Sequence, residues 1–224
     1  MDELLKIEHL SVGIQSPAGK VQAVRDVSFA LHPGEVLAIV GESGCGKSML
    51  CEAIMKLLPG SARIEGGKII ANGADITNYS DRDMQKLRGR LFSMIFRDPM
   101  TALNPTIPIG RQIAEAILVH EPKLGKEEVY NRVIGLMELV GIRQPQERYK
   151  LYPYNFSGGM RQRSVTAIAL AANPQILLAA NPIPDPIAER NRRRVDFDEL
   201  EFDRAGILVE ASPGHFVLQK EGEG

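Results

Sequence analysis

The stretch Gly41-Glu42-Ser43-Gly44-Cys45-Gly46-Lys47-Ser48 matches the pattern G-x-x-x-x-G-K-S/T. Its glycines let the backbone curl until successive N–H groups point at one phosphate. A helix opening near Lys47 would add its positive dipole end at the same spot. Lys47 is then expected to reach the β- and γ-phosphates of a bound nucleotide, and the Ser48 hydroxyl to ligate Mg2+. The pattern carries that meaning only between a strand and a helix, and both flanks fit. Upstream, Glu35-Val36-Leu37-Ala38-Ile39-Val40 is nearly all apolar, as in a strand buried on both faces. Downstream, Ser48 to Leu58 carries Leu50, Ile54, Leu57 and Leu58 at a spacing that suits one helical face. Cys45 reads as a small spacer, since the backbone matters more than the side chain at its position.

Outward from this loop the chain alternates in the same manner. Leu4 to Ile14 and Val21 to Leu31 are apolar and β-branched and predict strands, with Ser16-Pro17-Ala18-Gly19 as the turn between them. Ile64 to Ala71 and Leu91 to Phe96 predict two more. Ser80 followed by Asp83 has the form of a capping box opening a short helix. The middle third is helical: Ile109 to His120, then Glu127 to Val140 with Gly141 placed to end it. Ser157 to Ala172 predicts a third helix, stopped by Asn173-Pro174. Gln175 to Ala180 returns to a short apolar strand, and Ile207-Leu208-Val209 is a last candidate. After Ala180 the character changes: Pro182, Pro184 and Pro186 alternate, and a basic cluster from Arg190 to Arg194 precedes an acidic one from Asp196 to Asp203.

Composition removes several function classes. Lys plus Arg is 27 and Asp plus Glu is 28, a net charge of -1, which gives no electrostatic reason to bind nucleic acid. The basic cluster is most simply a solvated face. Cys45 and Cys51 make neither a disulfide framework nor a metal-ligand spacing and fit a reducing compartment. No apolar run approaches the length needed to span a bilayer. Met1 to Lys6 is too acidic and too short in its apolar part for a signal peptide. The chain is therefore expected to be soluble by itself and to meet a membrane only through a partner.

A phosphate loop alone leaves GTPases, kinases, helicases and transporters open. Asn155-Phe156-Ser157-Gly158-Gly159-Met160-Arg161-Gln162-Arg163 narrows the choice, because it resembles the LSGGQ-type signature of ABC ATPases. Ser157 with the N–H groups of Gly158 and Gly159 opens a helix, and such an end is an anion site. Met94 to Pro105 with Ile109-Gly110-Arg111-Gln112-Ile113 is similar to the Q-loop region of the ATPases that drive oligopeptide, dipeptide or nickel import. Tyr152-Pro153-Tyr154-Asn155 and Ala167 to Ala171 are similar to the same group. The resemblance runs from about Leu5 to Leu178.

That resemblance implies an α/β fold: a P-loop (RecA-like) core, a peripheral antiparallel β-subdomain and an inserted helical subdomain. Residues 1–224 would be one nucleotide-binding domain, with the β-lobe and P-loop core at 1–97, the helical lobe at 98–172 and the rest of the core at 173–224. It implies ATP and Mg2+ as ligands. Gly41, Glu42, Ser43, Gly44, Cys45, Gly46, Lys47 and Ser48 would hold one nucleotide, with Ser48 on the metal. Ser157, Gly158 and Gly159 would clamp the γ-phosphate of the nucleotide on a second ATPase subunit, in a homo- or heterodimer. The helical lobe would dock transmembrane permease subunits, placing the chain peripherally on the cytoplasmic face of the cell membrane.

The sequence also departs from the family pattern. Arg97 stands at the Q-loop glutamine, and a guanidinium has no acceptor with which to ligate a metal. Ala180 stands at the metal-holding Asp. Asn181 stands at the general-base Glu, and an amide cannot take a proton from water at neutral pH, a loss of about 10²- to 10⁴-fold in rate. Asp185 is a turn residue between prolines or a displaced acidic ligand. His215 is a loop histidine or a degenerate switch histidine. Ile14 replaces the aromatic residue that stacks on adenine, and an aliphatic face packs on a purine with less stacking energy. Two functions stay open: a transport ATPase coupling hydrolysis to import, and a non-hydrolysing nucleotide-binding subunit with a regulatory or structural role.

Overall fold

The computed structural model describes residues 3–17, 19–40, 44–96, 98–179 and 206–211. They fall into two compact units, one drawn from residues up to 86 together with 206–211, the other from 87–179. Gly41, Glu42, Ser43, Arg97, Ala180, Asn181, Asp185, Arg190 to Arg194 and His215 lie outside the described residues.

The first unit contains β1 (Leu5–Ser16), β2 (Gly19–Leu31), β3 (Val36–Val40), α1 (Lys47–Ile54), β4 (Ala62–Ala71), β5 (Ala74–Asp75) and the start of α2 (Asp81–Leu87). Its antiparallel sheet has the order β2-β1-β4-β5. Leu5, Ile7, Leu10 and Val12 of β1 are buried, as are Leu31 and Ile69 from the flanking strands. Leu50, Cys51, Ala53 and Ile54 of α1 supply the other side of this core. Burying each such side chain is worth about 1.5–3 kcal/mol before the entropy of ordering the chain is set against it. β3 pairs in parallel with β8 (Gly206–Ala211), Val36 opposite Ile207 and Val40 opposite Ala211.

The register of β1 against β2 shifts at Leu10–Val12, at Val12–Gly13 and, with the alternation also interrupted, between Ile7 and Leu10. His9 and Asp26 sit there at φ 50° and 48°. Their strain is met locally: the His9 N–H donates to Ser28 Oγ, the Asp26 N–H to Ser11 Oγ, and the two side chains pair at 2.7 Å. β4 bends with them through Gly67 at φ 88°, where a Cβ would meet the carbonyls of Glu8 and His9.

The second unit contains β6 (Phe92–Ile95), α3 (Pro99–Ala102), α4 (Ile109–His120), α5 (Lys126–Leu139), α6 (Pro145–Arg148), a 3-10 turn at Pro153–Asn155, α7 (Gly158–Leu170) and β7 (Ile176–Ala179). β6 and β7 pair in parallel, Phe92 opposite Ile176. All four residues of β7 are buried, which is why the segment reads as an unbroken apolar run. Ile109, Ile113 and Ile117 form the buried stripe of α4; Val129, Val133 and Met137 form that of α5. Gly141 at φ 76° closes α5 where the sequence placed the stop.

Some boundaries differ from expectation. α1 stops at Ile54, four residues before Leu58, because Met55 caps it and Lys56 turns into the left-handed region at φ 53°. Leu57 is thereby left 39% exposed instead of joining the apolar face. The Ser80–Asp83 box is present, with the Asp83 N–H on Ser80 Oγ and the hydroxyl on Asp83 Oδ2 at 2.6 Å.

Candidate functional site

The described part of the glycine loop runs from Gly44 to Ser48. Gly44 and Gly46 lie at φ 83° and 95°, the left-handed region that favours glycine. Gly46 is the residue before α1 and its N-cap, with no side chain to cap it. A Cβ there would run into the backbone carbonyl of Ala23, so β2 closes the loop from behind. Lys47 opens the helix and is only 7% exposed, an unusual depth for a lysine. Among its contacts is Cys45 Sγ, 3.5 Å from its Nζ, so the ammonium is folded back over the loop. Cys45 is exposed and Cys51 buried, and they form no disulfide.

Helix starts elsewhere in the chain show what is special here. α2 and α5 carry Asp81 and Asp83, and Glu127 and Glu128, in their first turns. Those carboxylates complement the positive dipole end. α4 has no acid there, but the N–H groups of Ile109 and Gly110 donate to the carbonyls of Leu151 and Tyr149 at 2.9 and 3.0 Å. α1 has no acid in its first turn and has a lysine instead. That combination suits an external anion of several charges, as a triphosphate is.

α7 opens differently. Ser157 is its N-cap, and its Oγ accepts from the Met160 N–H at 3.4 Å. Its first turn also lacks an acid. Gly158 and Gly159 are exposed, and a Cβ on either would meet nothing within 4 Å. Phe156, 2% exposed, anchors the chain just before the cap, and Arg161 Nε donates to its carbonyl at 2.9 Å. The signature is thus a rigidly anchored but open helix start.

The family model described as ABC transporter matches residues 24–183, most of the chain. This chain belongs to the ABC transporter family. Within the family it is 50% identical over 183 residues to the dipeptide transport ATP-binding protein DppD of Bacillus subtilis, covering 81% of this chain and 54% of that one. It is 49% identical over 180 residues to the oligopeptide transport ATP-binding protein OppD of the same organism, covering 80% and 50%. The chain spans about half the length of the curated relatives it matches. A dimeric post-hydrolysis structure of the ATP-binding cassette MJ0796 with ADP and phosphate superposes with a TM-score of 0.78 at 21% identity, over 92% of this chain and 87% of that one. The α/β fold of this ABC chain, with its P-loop core, antiparallel β-subdomain and helical subdomain, is that of the family's cassettes.

Other site features are not visible in any motif. Gln112 is buried on α4; its amide donates to the carbonyls of Asn104 and Ile107 at 2.9 and 2.7 Å while its oxygen accepts from the Asn104 N–H. One side chain therefore pins the Asn104–Ile107 turn. Arg163 holds the end of α5 through the Gly141 carbonyl at 2.8 Å. Periodicity gives α4 an apolar face but cannot say that a polar residue at its edge turns inward. Ile14 is half-buried and lines a pocket of about 150 Å³ with Lys20, Arg63 and Glu65. Lys20 Nζ lies 2.9 Å from Glu65. Among the described residues, no group of three or more His, Cys, Asp or Glu side chains is placed to hold a metal, and no helix is long and apolar enough to cross a membrane.

Proposed function

We propose that this chain binds ATP with Mg2+ at the loop from Gly41 to Ser48 and serves as the nucleotide-binding subunit of a peptide importer. The observation that carries it is the phosphate cradle: Gly46 packed against Ala23, a buried Lys47 and a helix start without an acid. Backbone N–H groups of the loop would hold the phosphates, Lys47 would bridge the β- and γ-phosphates, and Ser48 would ligate the metal. Mg2+ supplies charge neutralisation on the phosphate oxygens. The similarity to dipeptide and oligopeptide transport ATP-binding proteins supports peptides over nickel as cargo.

The open start of α7 supports a second half of the site. Ser157, Gly158 and Gly159 would meet the γ-phosphate of a nucleotide on an opposing ATPase subunit, the same chain or a relative. Residues 1–224 would act as one nucleotide-binding domain, docked on permease subunits at the cytoplasmic face of the membrane.

A second reading rests on Arg97, Ala180 and Asn181. With no acceptor at the first and no carboxylate at the others, this chain's own nucleotide would be held but not hydrolysed. Its signature would then serve the ATP of an intact partner. The deciding experiment is ATP binding and steady-state Mg-ATP hydrolysis by the purified chain beside Lys47→Ala. Binding lost in Lys47→Ala supports the site; equal affinity overturns it. Turnover above the variant's background makes the chain an ATPase by itself. Binding without turnover, with activity gained in an Ala180→Asp, Asn181→Glu variant, establishes the second reading.

A further inference from the structure

We propose that Tyr154 is a nucleobase platform, its exposed ring taking the purine of the nucleotide held by the phosphate loop of an opposing subunit. The inference rests on the subunit-pair reading above and deepens it.

Tyr154 is 69% exposed, between a buried Pro153 and, two residues on, a buried Phe156. A lone exposed tyrosine is ordinary. This one is held in place. The rings of Tyr152 and Tyr154 lie 5.5 Å apart and within 6° of parallel, so Tyr152 backs one face of Tyr154. The turn beneath them is closed at both ends: the Tyr152 N–H donates to Asn155 Oδ1 at 3.1 Å, and the Asn155 N–H to the Tyr152 carbonyl at 2.9 Å. Pro153 fixes its own φ, and the buried Phe156 ties the turn to the start of α7. A ring ordered in this way loses little freedom when a flat ligand stacks on it.

Position and need point to the base. Tyr154 precedes Ser157 by three residues, which places its backbone at most about 10 Å from the phosphate-facing end of α7. Within that bound the ring can reach along the phosphate chain and sugar that separate a γ-phosphate from its base. The first unit offers no aromatic face at the other end: Ile14 is aliphatic and half-buried, and the pocket beside it is lined by the Lys20–Glu65 ion pair. An aromatic face supplied by the opposing subunit would provide the stacking that Ile14 does not.

The test follows association of two copies of the full chain by sedimentation while ATP or CTP is titrated in with Mg2+. Tyr154→Ala should raise the ATP concentration needed for half-association about tenfold. The shift for CTP, whose single ring stacks less, should be clearly smaller. Tyr154→Phe, which keeps the ring, should behave as the parent. Equal shifts for both nucleotides would mean that the residue only shapes the turn before α7, and this overturns the proposal, as does no shift for either. If ATP fails to associate the unaltered chain at all, the pairing of two copies falls and this proposal with it, while pairing with a relative stands as a separate reading. ATP-driven association that is lost in Lys47→Ala but unchanged in Tyr154→Ala removes only the platform.

Discussion

The two glycine-flanked helix starts, Gly46 before α1 and Ser157 before α7, are built on opposite principles. The first is closed by its own protein: β2 stands behind Gly46, the loop takes left-handed angles, and Lys47 is folded inward. The second is capped by a serine and anchored by Phe156, yet its glycines face open space. A closed cradle is complete within one chain, while an open one needs something to be laid against it. Glycine is required at Gly46 by crowding and backbone angle. At Gly158 and Gly159 the fold makes no such demand, and the space a side chain would fill is open.

This contrast can be broken experimentally. Lys47→Ala carries the largest expected effect, a loss of ATP affinity of about a hundredfold in equilibrium binding, since a charge-assisted bridge to two phosphates goes with it. Gly46→Ala comes next. The new methyl meets the Ala23 carbonyl at a positive φ, so thermal or denaturant unfolding should show a loss on the order of 3 kcal/mol together with impaired ATP binding. A Gly46→Ala variant as stable as the parent would erase the distinction between the two starts. Ser157→Ala should cost about 1 kcal/mol through the lost cap and leave the chain's own ATP affinity unchanged. Gly159→Ala should leave stability within about 1 kcal/mol of the parent, or raise it, and still weaken ATP-driven association. A clear loss of stability there would show that the α7 start is crowded after all.

The smallest effect concerns pH. Burial raises the Glu52 carboxyl on α1 above the usual carboxylate range. A raised folded pKa favours the protonated form, so its contribution to stability is present below the ordinary carboxylate pKa and is lost as pH rises through the folded value. Glu52→Gln should flatten the melting temperature against pH in that window and change nothing well below it.

Much of this was legible because it depends on local rules. The strand before the glycine loop, the helix after it and the α7 cap follow from glycine spacing and apolar period, and α4 runs from Ile109 to His120 as the sequence indicates, but the strand is not buried on both faces as expected: Val36 is 37% exposed. Features that depend on distant partners were not. The end of α1 turns on Lys56 adopting a left-handed angle, which no residue preference announces. The bulge at His9 and Asp26 needs Ser28 and Ser11 from neighbouring strands. The closeness of Gly46 to Ala23, the feature that makes the first cradle closed, is a long-range contact invisible in the motif itself.

Gln112 has a consequence in time rather than in shape. Both ends of the Asn104–Ile107 turn are held by one amide group carried on α4. The turn therefore has no opening motion of its own through those bonds; it is released when α4 frays or when the Gln112 rotamer changes. In hydrogen-exchange measurements the Asn104 amide should lose its proton at the rate of the first turns of α4, and Gln112→Ala should uncouple the two, leaving the helix slow and the turn fast.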